Sequence, residues 1–77
     1  MHHLYLHNDN KNSFKYVWAA LMQELKHTPI QAEQCCLIAD NVGKAHVKQG
    51  DITELLELET KLQELGLVVS ISNVQLH

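Results

Sequence analysis

The sequence predicts an α+β fold of two layers: a three-stranded sheet with three helices on one face, in the order β-α-α-β-α-β. Three observations carry this reading. Short segments with strand-like alternation are interleaved with longer segments of helical apolar spacing. Helix-start signatures stand at Ser13, Thr28 and Asp51, with glycines at the expected stops, Gly43 and Gly66. The 77 residues contain no repeat, linker or low-complexity stretch, so residues 1–77 form a single domain. A domain this small buries only about 60% of the surface its unfolded chain exposes, so nearly every large apolar residue is needed inside.

Each element has its own justification. His3 to His7 alternates as a strand and runs into the polar turn Asn8-Asp9-Asn10. Ser13 supplies an N-cap for a helix reaching about Lys26, with Phe14, Val17, Trp18, Leu21, Met22 and Leu25 at i, i+3, i+4, i+7 spacing. Thr28-Pro29-Ile30-Gln31 combines a capping hydroxyl, proline at the first helical position and glutamine at the box position. The helix it opens places Ala32, Cys35, Cys36 and Ala39 on one face and ends near Gly43; those small residues allow close approach to the first helix. Lys44 to Gln49 reads as a strand with Ala45 and Val47 on one side, and Gln49-Gly50 as a turn. Asp51 with Glu54 predicts a second capping box. The third helix runs from there to Leu65, burying Ile52, Leu55, Leu62 and either Leu56 or Leu58. Gly66 takes the C′ position, and Leu67 to Val74 completes the sheet with Leu67, Val69 and Ile71 on a common face.

Composition excludes several function classes. The net charge is −3 and there is no arginine, while the six lysines are scattered among acids. A nucleic-acid binder needs clustered cations to displace phosphate counterions, so that class is set aside. The longest apolar runs, Val17 to Met22 and Cys35 to Ala39, are too short for a membrane span or a secretory signal, and the chain reads as cytoplasmic. The only cysteines are the neighbours Cys35 and Cys36, which point about 100° apart on a helix and imply no disulfide. The six histidines have no metal-ligand spacing and no nucleophile–base pair stands out, so neither a metal, a cofactor nor an enzyme is expected. The acids Asp51, Glu54, Glu57, Glu59 and Glu64 gather in or beside the third helix as a solvated face or a docking surface.

The turn at Asn8 and Asp9 admits two readings. Both residue types favour turns by bonding their own backbone. Beside an apolar helix face they also offer a carbonyl oxygen and a carboxylate to a positively charged group.

Taken together, Leu6-His7-Asn8-Asp9 with Phe14-x-x-Val17, the block His27-Thr28-Pro29-x-Gln31-Ala32-Glu33-Gln34-Cys35, Leu37-Ile38, Gly43-Lys44 and Glu59-Thr60-Lys61 resemble the ClpS family, adaptors of Clp-type AAA+ proteases. The second-helix block looks most like ClpS proteins of Bacteroidetes. The resemblance implies a non-catalytic adaptor that captures protein substrates with a bulky hydrophobic N-terminal residue and passes them to a Clp unfoldase. It implies that Asn8, Asp9 and Asp40 meet the substrate's α-amino group, and that Asn12, Phe14, Val17, Cys36, Ala39 and Leu67 line a pocket for its first side chain. Glu57 and Lys61 would contact the unfoldase. Asp40 stands where the family places a histidine, and Asn10 where it places a second acid. The chain starts almost on the first strand, without the extension the family implies ahead of it. The C-terminal half also looks like the C-terminal domain of the bacterial ribosomal stalk protein, which shares the fold but lacks the Asn-Asp turn. A protein-interaction module with an altered or vestigial pocket is the alternative from another class.

Overall fold

A computed structural model describes residues 1–73. Strand β1 (His2–His7) is followed by helices α1 (Phe14–Leu25) and α2 (Pro29–Val42), strand β2 (Lys44–Gly50), helix α3 (Ile52–Glu64) and strand β3 (Val69–Ser72). The sheet is antiparallel in the order β2-β1-β3, so the first strand is the central one. This is the expected α+β order, with the helices against one sheet face. Leu4 and Leu6 from β1, Ala45 and Val47 from β2 and Val69 from β3 enter one core with Val17, Leu21, Leu25, Leu55, Leu62 and Leu67 from the helical side. The opposite sheet face stays open. It carries His3, Tyr5 and His46, whose ring centroids lie 5.0 to 6.5 Å apart, and Lys44 Nζ sits 5.0 Å from the centre of the Tyr5 ring.

The helix starts differ in how they are made. The Ser13 side chain accepts the Tyr16 amide at 3.1 Å. Thr28 closes a complete capping box: its hydroxyl accepts the Gln31 amide at 3.1 Å, and the Gln31 side chain accepts the Thr28 amide at 3.0 Å. Asp51 makes no side-chain cap bond, against the expected second box. Its carboxylate still benefits from the positive end of the α3 dipole while remaining in water. At the other ends, Gly43 (φ +106°) and Gly66 (φ +90°) take left-handed conformations that a side chain disfavours.

Some expected burial is corrected. Ile52 is 39% exposed, because the first residue of α3 borders an open groove shared with Met1, His2 and Glu54. Leu58, not Leu56, packs against the core. Trp18 and Met22 are half-buried at its margin, and the Trp18 indole N–H donates to the Pro29 carbonyl at 2.9 Å, tying α1 to the start of α2. Gly50 pairs with His2 inside the ladder instead of forming a turn. The last strand begins at Val69 and Val74 lies outside the described residues.

Candidate functional site

The site grows from the end of the central strand. Because β1 has neighbours on both sides, its last amides are claimed from both. The His7 amide donates to the Val68 carbonyl at 2.8 Å and the Asn8 amide to the Gly43 carbonyl at 2.9 Å. Asn8 is thereby held against the C-terminus of α2. Asp9 then turns the chain, as short acidic side chains do by bonding backbone ahead of them. Its Oδ1 accepts the Lys11 amide at 2.9 Å and the Asn12 amide at 2.8 Å. The Asn12 side-chain amide donates to Asp9 Oδ2 at 3.2 Å and to the Gly66 carbonyl at 2.8 Å. The Tyr16 hydroxyl donates to the Leu65 carbonyl at 2.6 Å. Two bonds thus fasten the loop and the first turn of α1 to the exit of α3.

This loop walls a recess between β1, α1 and α2, lined by Leu6, His7, Asn8, Asp9, Asn12, Val17, Cys36, Ala39 and Asp40. Its floor is apolar and buried, formed by Leu6, Val17, Cys36 and Ala39. The rim is polar: Asp9 and Asn12 are half-buried, Asn8 and Asp40 exposed. The recess holds about 30 Å³ of free space. The small residues Cys36 and Ala39, one helical turn apart on α2, leave that room where larger side chains would fill it.

Seven of the residues singled out from the sequence therefore meet at one place: Asn8, Asp9, Asn12, Val17, Cys36, Ala39 and Asp40. Phe14 and Leu67 do not line the recess. Phe14 is 40% exposed on the first turn of α1, three residues before Val17 and so on the same helix face. Leu67 is buried in the main core. Leu6 and His7 were missed. The alternation of Leu4 and Leu6 was an available signal for the first, and both stand in the Leu6-His7-Asn8-Asp9 segment that carries the family resemblance. Glu57 and Lys61 lie apart from the recess, on a groove bordered by Lys26, Lys48 and Glu54.

Electrostatics favour a cation at the rim. Burial works to raise the Asp9 pKa, but bonds from the Asn12 amide and side chain and from the Lys11 amide, with the Lys11 charge, outweigh it, so the carboxyl stays ionised below its usual range. The Cys36 thiol is pushed up to about 11 by burial, then by Cys35 and the Asp40 charge; burial also raises Cys35. Both thiols are protonated at neutral pH and poor nucleophiles. Among the described residues no three His, Cys, Asp or Glu side chains gather to hold a metal ion. No described helix is long and apolar enough to cross a membrane.

A model of the family described as ATP-dependent Clp protease adaptor protein ClpS matches residues 1–70. The chain belongs to the ClpS family. The structure of Agrobacterium tumefaciens ClpS2 bound to L-phenylalaninamide superposes with a TM-score of 0.77 at 18% identity, covering 92% of this chain and 93% of that one. At that identity the likeness speaks for the ClpS fold. No curated protein matches significantly.

Proposed function

We propose that this ClpS-family chain is an adaptor that captures the free N-terminus of protein substrates with a bulky hydrophobic first residue and delivers them to a Clp-type AAA+ unfoldase. The observation that carries the reading is the recess itself, an apolar floor beneath a rim of two amides and two carboxylates. A substrate N-terminus has the complementary form, an ammonium one carbon away from a side chain. The ammonium would be met by Asn8, Asp9 and Asp40, each charge-assisted bond contributing roughly 1.5–3 kcal/mol. The side chain would enter over Val17, Cys36 and Ala39, with Asn12 and Phe14 beside it, and burying a Phe-sized group adds on the order of 1.5–3 kcal/mol. The phenylalaninamide bound to the Agrobacterium protein offers the same two features, an amine and a phenyl ring.

The free space of about 30 Å³ is nearer a water molecule than a benzene ring, whose engineered cavity measures about 150 Å³. Entry therefore requires the exposed rim residues to move aside. Glu57 and Lys61, exposed one turn apart on α3, are the proposed unfoldase contact. The test is fluorescence anisotropy with a labelled peptide beginning Phe or Leu. The free-amine peptide binds and its acetylated form does not; absence of binding by both overturns the capture reading.

A further inference from the structure

The open face of the sheet brings together two imidazoles that stand 43 positions apart in the chain. His3 on β1 and His46 on β2 lie diagonally across the ladder, since His3 pairs with Gln49 and His46 with Tyr5. The register shifts between those two pairs, and a bulge re-aims side chains. His3 Nδ1 is 3.0 Å from His46 Nε2, with the ring planes tilted by 57°. Tyr5 steadies both rings, meeting His46 edge-on at 5.6 Å and lying 6.5 Å from His3. His7 takes no part, because its Nε2 is engaged with the Ser70 hydroxyl at 2.6 Å. His46 is exposed and His3 half-buried, so solutes reach both.

The separation of the two nitrogens has a chemical meaning. Metal–imidazole bonds of about 2.0–2.1 Å set at a right angle place their nitrogens about 2.9 Å apart; at the tetrahedral angle they are about 3.3 Å apart. The His3–His46 spacing fits the right angle. Nickel and copper adopt it, and imidazole suits both. Among the described residues no third His, Cys, Asp or Glu joins the pair. Lys44 Nζ also sits over the adjacent Tyr5 ring. Calcium and magnesium, which need several oxygen ligands, are therefore disfavoured. Desolvation, then the His3 charge, pushes the His46 pKa below its ordinary 6.5, so its imidazole is unprotonated at neutral pH and competent as a ligand.

We propose that His3 and His46 form a two-histidine chelate for a late first-row dication, nickel or copper, clasping β1 to β2 on the sheet face away from the recess. In the hydrogen-bonded pair one of the facing nitrogens carries the shared proton. On chelation that ring takes the tautomer with its proton on the far nitrogen, and both lone pairs turn to the ion. Water completes the coordination shell.

The experiment is thermal unfolding across a NiCl2 series reaching millimolar. Nickel is the probe because, unlike copper, it does not oxidise the free thiols Cys35 and Cys36. A cross-strand chelate exists only in the folded chain, so nickel about tenfold above its Kd should raise the melting temperature by roughly 5–10 °C. His3→Ala and His46→Ala should each remove the shift. His2→Ala, on the opposite side of the same strand, should keep it. Absence of a nickel-dependent shift in wild type overturns the proposal. So does a shift that survives either of the first two substitutions, which would place the ion on other ligands, or one that His2→Ala abolishes.

Discussion

Replacing Asp9 by alanine tests whether the turn at the end of the central strand is built by that one carboxylate. The substitution strands the Lys11 and Asn12 amides, bonded at 2.9 and 2.8 Å, and removes one of two acceptors of the Asn12 side chain. Bonds to a charged acceptor contribute roughly 1.5–3 kcal/mol each where water is excluded, but this loop is half-exposed and water replaces part of them. The closest analogy is loss of a helix N-cap, so a loss of about 1–2 kcal/mol is expected. At about 4–8 °C per kcal/mol for a domain of this size, the melting temperature falls by roughly 5–15 °C. Asp9→Asn keeps an oxygen for the two amides and should lose about half as much. The effect must also depend on pH with a definite sign. The Asp9 pKa is lower in the folded chain than the ordinary 3.8, so the native state resists protonation more than the unfolded one. Its electrostatic contribution is complete above about pH 4 and disappears as pH falls through the lowered value. Denaturant unfolding from pH 7 down to about pH 3 should therefore show the gap between wild type and Asp9→Ala narrowing. Equal stability at neutral pH, or a gap that holds constant into acid, refutes the reasoning.

Two further outcomes follow from the helical layer. Thr28→Ala removes the hydroxyl that accepts the Gln31 amide, leaving the Thr28 backbone amide to the Gln31 side chain, and should cost about 1 kcal/mol, read as a fall in midpoint with unchanged slope in denaturant unfolding. With the Cys36 thiol pushed up to about 11, iodoacetamide at pH 8 should modify it on the order of a hundredfold more slowly in the folded protein than in denaturant; equal rates would contradict its burial.

The contrast between two helix starts explains how much of the fold was legible. Thr28-Pro29-x-Gln31 and Asp51-x-x-Glu54 carry similar local signatures, yet only the first forms its box. Pro29 pre-sets the backbone of the first turn, whereas Asp51 follows a residue still paired in the ladder, with its carboxylate free in water. Apolar spacing located Leu55 and Leu62 correctly because both lie on the α3 face that enters the core; it failed for Ile52, the first residue of the helix, which borders an open groove. At the site, side chains on regular elements were readable: Val17, Cys36 and Ala39 share the recess because helical periodicity puts them there. Leu67 was misplaced because its position depends on how the chain leaves α3. The turn after Leu62, with the Leu67 amide bonded to the Leu62 carbonyl at 3.0 Å, sends it into the core.

The relation between Asp40 and Asn8 is fixed less by their own contacts than by how α2 is fastened at both ends. Six residues of β1 face seven of β2, and the extra residue is the bulged Val47, between Lys48 opposite Leu4 and His46 opposite Tyr5. A bulge leaves a backbone group without its ladder partner. The Val47 carbonyl accepts instead from His27 Nε2 at 2.8 Å, and this bond anchors the residue that precedes the Thr28 cap. At the other end, the Gly43 amide donates to the Ala39 carbonyl and the Gly43 carbonyl accepts the Asn8 amide, both at 2.9 Å. One end of the helix is thus tied to the bulge and the other to the end of β1, with Cys36, Ala39 and Asp40 in between. A one-residue change of register at the bulge would move Gly43 past Asn8 by about 3.3 Å. That displacement would separate the Asp40 carboxylate from the Asn8 amide without altering either side chain. The spacing of charge and amide at the mouth is therefore a property of strand register, carried to the site by α2.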